Sequence, residues 1–146
     1  STSAIEIPRE VATWYSEPAA RPMDTPTPVR HAAAFVPYDY VPDDRQRVEI
    51  YRNLAQAADH ESLAALKNEC RDRFGPLPEP LELLLAIGEI KILAADKGVT
   101  EVETRLDKLM LKRNKDYIML GGKFPRLTKK TAAARLKEIK KLLLAL

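Results

Sequence analysis

Glu69, Asp72 and Arg73 are the residues of this sequence with the most obvious chemistry to offer. Around them Leu63, Leu66, Cys70 and Phe74 recur at steps of three, four and four residues. That period predicts a helix with one narrow apolar stripe. With Leu63 at zero and about 100° per residue, Glu69 falls near 240°, Asp72 near 180° and Arg73 near 280°. All three lie on the flank turned away from the stripe. Glu69 and Arg73 are also spaced i,i+4 in the favourable order, worth roughly 0.2–0.5 kcal/mol. On residue chemistry alone a solvated, decorated flank is the simpler account. The functional alternative is an acidic docking patch for an arginine-bearing partner, because carboxylates accept the guanidinium fork with two parallel hydrogen bonds.

Other chemistries find less support. Cys70 is the single cysteine, so no internal disulfide forms, and with His31 and His60 far apart no metal-ligand spacing occurs. A Cys70/His60 nucleophile pair is improbable, because Cys70 sits on the stripe that should be buried and inert. Glu101 and Glu103 share one face of an alternating segment and read as a solvated sheet face. No phosphate-cradling glycine loop ending in Lys-Ser/Thr exists, and Gly121-Gly122-Lys123 is better explained as a tight hairpin. No Gly-x-Ser-x-Gly elbow is present. We therefore expect no catalytic residues, no cofactor and no metal in this chain.

The basic stretch from Arg126 to Lys141 raises the question of nucleic acid. It contains Arg126, Lys129, Lys130, Arg135, Lys137, Lys140 and Lys141. Arg135 and Lys137 point different ways on a helix, and no aromatic residue follows Phe124 to stack on bases. A solvated amphipathic helix is favoured there. A nucleic-acid-binding module using the basic C-terminal half is the alternative.

These residues must be positioned by a small set of elements. Phe35-Val36-Pro37 is extended, since a residue before proline avoids the helical region. Asp43 or Asp44 caps a first helix, whose face is Val48, Ile50, Tyr51, Leu54 and Ala58. Asp59 caps the second, which Gly75-Pro76 ends. The third starts at Pro78 or Pro80 and runs to about Lys97, with Gly98 in a left-handed conformation behind it. Leu81, Leu84, Leu85, Ile92 and Ala95 mark one side of it. Leu83, Ile87, Ile90 and Ala94 mark the other. Apolar residues on two sides predict a central helix. Gly88 on the first side costs roughly 1 kcal/mol of helix propensity, which points to close packing as the compensation.

After Gly98 the period changes to two. Strands are predicted at 99–103, 109–111 and 117–120, with Asn114-Lys115-Asp116 as one turn and Gly121-Gly122 as the next. Lys123-Phe124 starts a short fourth strand. A last helix spans Thr131 to Leu146, with Leu136, Ile139, Leu143 and Leu146 as its stripe. The fold class is α+β: N-terminal helices around a central buried helix, a small mostly antiparallel sheet and a C-terminal helix.

The 146 residues suit one domain. Hydrophobic residues at 45% allow a core, and 31% charged residues suit a soluble surface. No apolar run approaches the roughly 20 residues needed to cross a bilayer. No secretory signal is recognisable, and with one cysteine the expected location is the cytoplasm. Residues 1–34 contain Pro8, Pro18, Pro22, Pro26 and Pro28 and read as a linker or extension. Trp14 and Tyr15 within it read equally as a docking anchor or an exposed remnant. Charge is uneven. Residues 1–98 carry 11 Lys/Arg against 16 Asp/Glu, a balance of −5, and residues 99–146 carry 13 against 5, a balance of +8.

A pattern now emerges. Phe35-Val36-Pro37-x-x-Tyr40-Val41-Pro42-Asp43 continues through Arg47-Val48-x-x-Tyr51-Arg52-x-Leu54. Glu61-x-Leu63-x-x-Leu66-x-x-Glu69-x-x-Asp72-Arg73-Phe74-Gly75-x-Leu77-Pro78 follows, then Leu83-Leu84, Ile90-Lys91, Ala94-Ala95 and Lys97-Gly98-Val99. This resembles the C-terminal domain of bacterial transcription-repair coupling factors, well over residues 35–100 and as a looser strand-and-helix pattern to 146. The resemblance implies a single regulatory domain over 35–146 of an ATP-driven DNA translocase. That parent displaces stalled RNA polymerase and recruits nucleotide excision repair through UvrA, with ATP and Mg bound outside this domain. It implies that the domain folds back on the parent's N-terminal UvrB-like module and masks UvrA binding. Glu69 and Asp72 are the implied contacts, with Arg73 holding them in place and Phe74 in the core. Cys70 departs from the larger apolar residue the family often has, and Ile5 to Ala20 match nothing in it.

Overall fold

A computed structural model describes residues 34–146. The proposed linker and its Trp14 and Tyr15 lie, Ala34 apart, outside the described residues. Chain contacts divide the molecule into two compact units, one ending at Gly88 and the other spanning Glu89–Leu146.

In the first unit Asp43 caps helix α1 (Asp44–Gln56), accepting from the amides of Arg45 and Gln46 at 2.7 and 3.4 Å. Asp59 caps α2 (His60–Phe74) through the Ser62 amide at 2.7 Å. A cap of this kind satisfies amides that the first turn leaves without partners. Gly75 ends α2 at φ 97°, a backbone region that side chains disfavour. Helix α3 (Glu79–Asp96) follows and carries on past Gly88 into the second unit. Ile50, Tyr51 and Leu54 of α1, Leu63, Leu66 and Cys70 of α2, and Leu81, Leu83, Leu84 and Leu85 of α3 are buried. A Cβ on Gly88 would stand 2.9 Å from Leu54 Cδ1 and 3.3 Å from Leu63 Cδ1, so the absent side chain is what lets the three helices approach. Ala58 lies beyond the end of α1 and is exposed, and Val48 is only half-buried.

The stretch before α1 forms a strap across this unit. The Val36 amide donates to the Tyr51 hydroxyl at 2.9 Å and the Phe35 amide to the Pro80 carbonyl at 3.2 Å. Its own Ala34, Val36 and Val41 are buried. Arg47 is 0% exposed, an unusual fate for an arginine. Its guanidinium donates to the Val41 carbonyl at 2.6 Å, pairs with Asp44 and stacks under the Tyr38 ring at 4.1 Å.

In the second unit Gly98 takes φ 74° and turns the chain from α3 into β1 (Val99–Arg105). β1 pairs antiparallel with β2 (Lys108–Arg113), and β2 with β3 (Asp116–Tyr117), giving the order β1-β2-β3. Leu109 and Leu111 point to the buried face. The β2–β3 turn is Asn114-Lys115, both at positive φ, and Asp116 already belongs to the strand. The third strand is shorter than expected. Beyond Tyr117 only the Ile118 amide reaches the Leu111 carbonyl, at 2.8 Å, before the Gly121-Gly122 turn redirects the chain. Residues 123–124 form no strand. Single bridges join Leu120 to Lys123 and Lys108 to Arg126 instead. Thr131 caps α4 (Ala132–Leu144), which buries Ile139 and Leu143. Leu136 is half-buried and Leu146 is exposed, since the helix has ended before it. Likewise Ala95 on α3 is exposed, while Leu93, which the two-sided pattern omitted, is buried. The fold is α+β, with four helices and this three-stranded antiparallel sheet among the described residues.

Candidate functional site

The last two turns of α2 carry Glu69, Asp72 and Arg73, and all three side chains are exposed. Arg73 donates to Glu69 Oε2 at 3.3 Å, with both groups near half exposure, so the pair contributes little to stability. The Arg73 guanidinium also lies 5.1 Å from the centre of the Phe74 ring. Asp72 is one turn from Glu69 on the same flank, as its i,i+3 spacing requires. Phe74 is half-buried rather than core. It packs against Tyr40 with ring centres 5.7 Å apart.

Tyr40, whose residue type alone gave no sign of a functional role, anchors this end of α2. Its hydroxyl donates to the Gly75 carbonyl at 2.7 Å and reaches the Cys70 carbonyl at 3.0 Å. Gly75 stands just past the end of α2, where its carbonyl cannot accept from a continuing helix, so the hydroxyl supplies a donor there. Burial first, and then the nearby Cys70, push the Tyr40 hydroxyl above the ordinary tyrosine value, which keeps the donor protonated. The strap is thereby pinned to the turn that presents Glu69 and Asp72. The Tyr40-x-x-Asp43-x-x-x-Arg47 spacing is a signal for this, since it links Tyr40 to the cap Asp43 and the buried Arg47.

The remaining candidates separate. Cys70 is buried, and burial pushes its thiol up to about 11. His60 sits at the opposite end of α2, ten residues and about 15 Å away along the axis. No nucleophile pair exists there. Glu101 pairs with Lys112 at 3.4 Å and Glu103 with Arg105 at 3.8 Å, on an exposed sheet face. Among the described residues no three His, Cys, Asp or Glu groups come together as metal ligands, and no helix is long and apolar enough to cross a membrane.

Three cations of the basic stretch have local partners. Arg126 pairs with Asp107 at 2.8 Å, Arg135 donates to the Leu106 carbonyl, and Lys140 pairs with Glu89. Glu138 accepts from the Thr128 amide and hydroxyl and from the Lys129 amide. Those donors hold its carboxyl below the usual range. The basic helix is thus partly a device for fastening residues 126–130.

The motif residues fall within a stretch that matches a known family model, the TRCF domain, over residues 31–118. The chain belongs to the TRCF-domain family. Transcription-repair-coupling factors of Mycobacterium bovis and Escherichia coli K12 are 42% and 34% identical to it over 69 and 70 residues, 47% and 48% of the chain. That of Bacillus subtilis is 29% identical over 87 residues. The matched part is 6% of the length of the first two relatives and 7% of the third. A crystal structure described as the C-terminal domain of transcription-repair coupling factor superposes with a TM-score of 0.62 at 23% identity. It covers 77% of this chain and 87% of that one, and it shows a shared fold.

Proposed function

We propose that this TRCF domain is a non-catalytic, regulatory protein-interaction domain. It folds back on the N-terminal UvrB-like module of its parent protein and masks the surface that UvrA binds. The parent is an ATP-dependent DNA translocase that binds ATP and Mg elsewhere and acts on stalled RNA polymerase.

The observation that carries this reading is the exposed pair Glu69 and Asp72 on one flank of α2, inside the family-matched stretch. An arginine-bearing surface is the complement of two carboxylates one helical turn apart. The Glu69–Arg73 pair is worth roughly 0.2–0.5 kcal/mol, so an incoming arginine exchanges it at little cost. The turn itself is held by Tyr40 through two carbonyls, which limits the ordering lost on docking.

The test is competition. The domain is added in trans to the isolated N-terminal module, and UvrA capture by that module is measured. Capture should fall with added domain and recover with Glu69→Arg/Asp72→Arg. Capture unaffected by wild-type domain at saturating concentration refutes masking.

A further inference from the structure

The second unit brings together what the linear sequence keeps apart. Paired residues in a sheet share a face, so Glu101, Lys112 and Tyr117 lie on one face, as do Glu103 with Met110 and Arg105 with Lys108. Phe124 joins that face by packing edge-on against Tyr117, ring centres 5.5 Å apart at 71°. Lys108 Nζ lies 4.9 Å from the centre of the Phe124 ring and Lys112 Nζ 5.8 Å from that of Tyr117. Tyr117 keeps 42% of its surface exposed. The acidic side chains of this face, Glu101 and Glu103, stand on the β1 edge, each beside a cation. The β2–β3 side therefore carries the exposed Tyr117 ring beside Lys112 and, edge-on to it, the Phe124 ring beside Lys108, in a segment whose balance over residues 99–146 is +8.

We propose that this outer sheet face is a stacking platform for single-stranded nucleic acid, in which a base lies on the Tyr117 ring and Lys108 and Lys112 take the adjoining phosphates. Each lysine now covers a ring through an exposed cation–π contact, which is weaker than the stack of a base on an aromatic ring. A base therefore displaces the ammonium group. The flexible lysine stem then carries the charge to a phosphate, and Lys112 gives up its 3.4 Å pair with Glu101 in doing so, which costs little because both groups of that pair are at least partly exposed to water. Phe124 supports the Tyr117 ring from its edge and fixes its tilt. An acidic peptide would use the same two cations but would leave the ring without a planar partner. That is why nucleic acid is the better complement.

The test uses the 146-residue chain and a labelled 12-nucleotide oligothymidylate, read by fluorescence anisotropy at 50 and 200 mM salt. Wild-type binding should weaken with salt. Neutralising both cations, Lys108→Gln/Lys112→Gln, should reduce the slope of log affinity on log salt by about 1.4, at about 0.7 per phosphate contact on a single strand. Tyr117→Ala should weaken binding about 5- to 150-fold, and Tyr117→Phe should restore it. Circular dichroism of each variant should match the wild type, because all three positions are at least partly exposed. Tyr117→Ala binding as tightly as wild type overturns the proposal, as does the absence of wild-type binding at 50 mM salt. Polyglutamate binding that is itself lost in Tyr117→Ala overturns it in favour of an acidic protein partner.

Discussion

Replacing Arg47 by methionine perturbs the strap with little change in side-chain length. The hydrogen bond to the Val41 carbonyl is charge-assisted at 2.6 Å and is worth about 1.5–3 kcal/mol. The stack under the exposed Tyr38 ring adds about 0.5–1 kcal/mol. The Asp44 pair adds about 0–1 kcal/mol, because Asp44 is 61% exposed. Against this, the buried Nε has no partner, and its desolvation costs about 1–3 kcal/mol that methionine would not incur. Taken at their mid-values, these terms leave a net destabilisation of about 1.5 kcal/mol. Urea denaturation should show it as a lower midpoint at unchanged slope. Native hydrogen exchange should show where it acts: the Val36 and Val41 amides should exchange faster, with a smaller change at Leu109 in β2. A methionine variant as stable as wild type would refute the reasoning, since the buried charge would then cost as much as its contacts contribute. Uniformly faster exchange would show that the strap does not open before the rest of the fold.

Four further outcomes follow from the geometry. Tyr40→Phe removes the donor to the Cys70 and Gly75 carbonyls and should destabilise by about 1–2 kcal/mol, with faster exchange near the end of α2. Gly88→Ala gains about 1 kcal/mol of helix propensity but overpacks the buried Leu54 and Leu63 at about 1–3 kcal/mol, so stability should fall or hold; a gain of the full propensity would show that the leucines move aside freely. The Cys70 thiol, pushed up to about 11, should react with a disulfide reagent at neutral pH at least about a hundredfold more slowly in the folded chain than in urea. The carboxyl of Asp59 is held low chiefly by the Ser62 amide and that of Glu138 by the Thr128 hydroxyl and then its amide, so their contribution is present above the ordinary carboxylate range and is lost as pH falls through the lowered folded value; the stability gap between wild type and Glu138→Gln should close on acidification.

Helix starts were legible because capping is local. Asp43, Asp59 and Thr131 each satisfy amides two or three residues on. Gly88 was legible because a glycine inside an apolar pattern implies a close neighbour. Arg47 was not, because its burial depends on a carbonyl and a ring that lie before the helix, in a segment with no periodicity. The third strand was overextended because Tyr117 to Leu120 alternates less than it clusters, and the glycine turn cut the ladder short. The grouping of the Tyr117 and Phe124 rings with Lys108 and Lys112 was not legible for a different reason. A search for aromatics interleaved along the chain cannot see rings and cations that pair across strands. Glu69 and Asp72 were placed outward by helical period alone, and the structure puts them there, but the Tyr40 anchor beneath them needed the fold.

The central claim is tested most directly by titrating the domain against the N-terminal module of its parent, at two salt concentrations, with Glu69→Arg/Asp72→Arg alongside. Binding should be saturable, weaken with salt and fall at least about tenfold in the variant, whose helicity is unchanged. Saturable binding that the charge reversal leaves intact would contradict the assignment of the acidic flank as the docking site, and no binding by the wild type would contradict the fold-back itself.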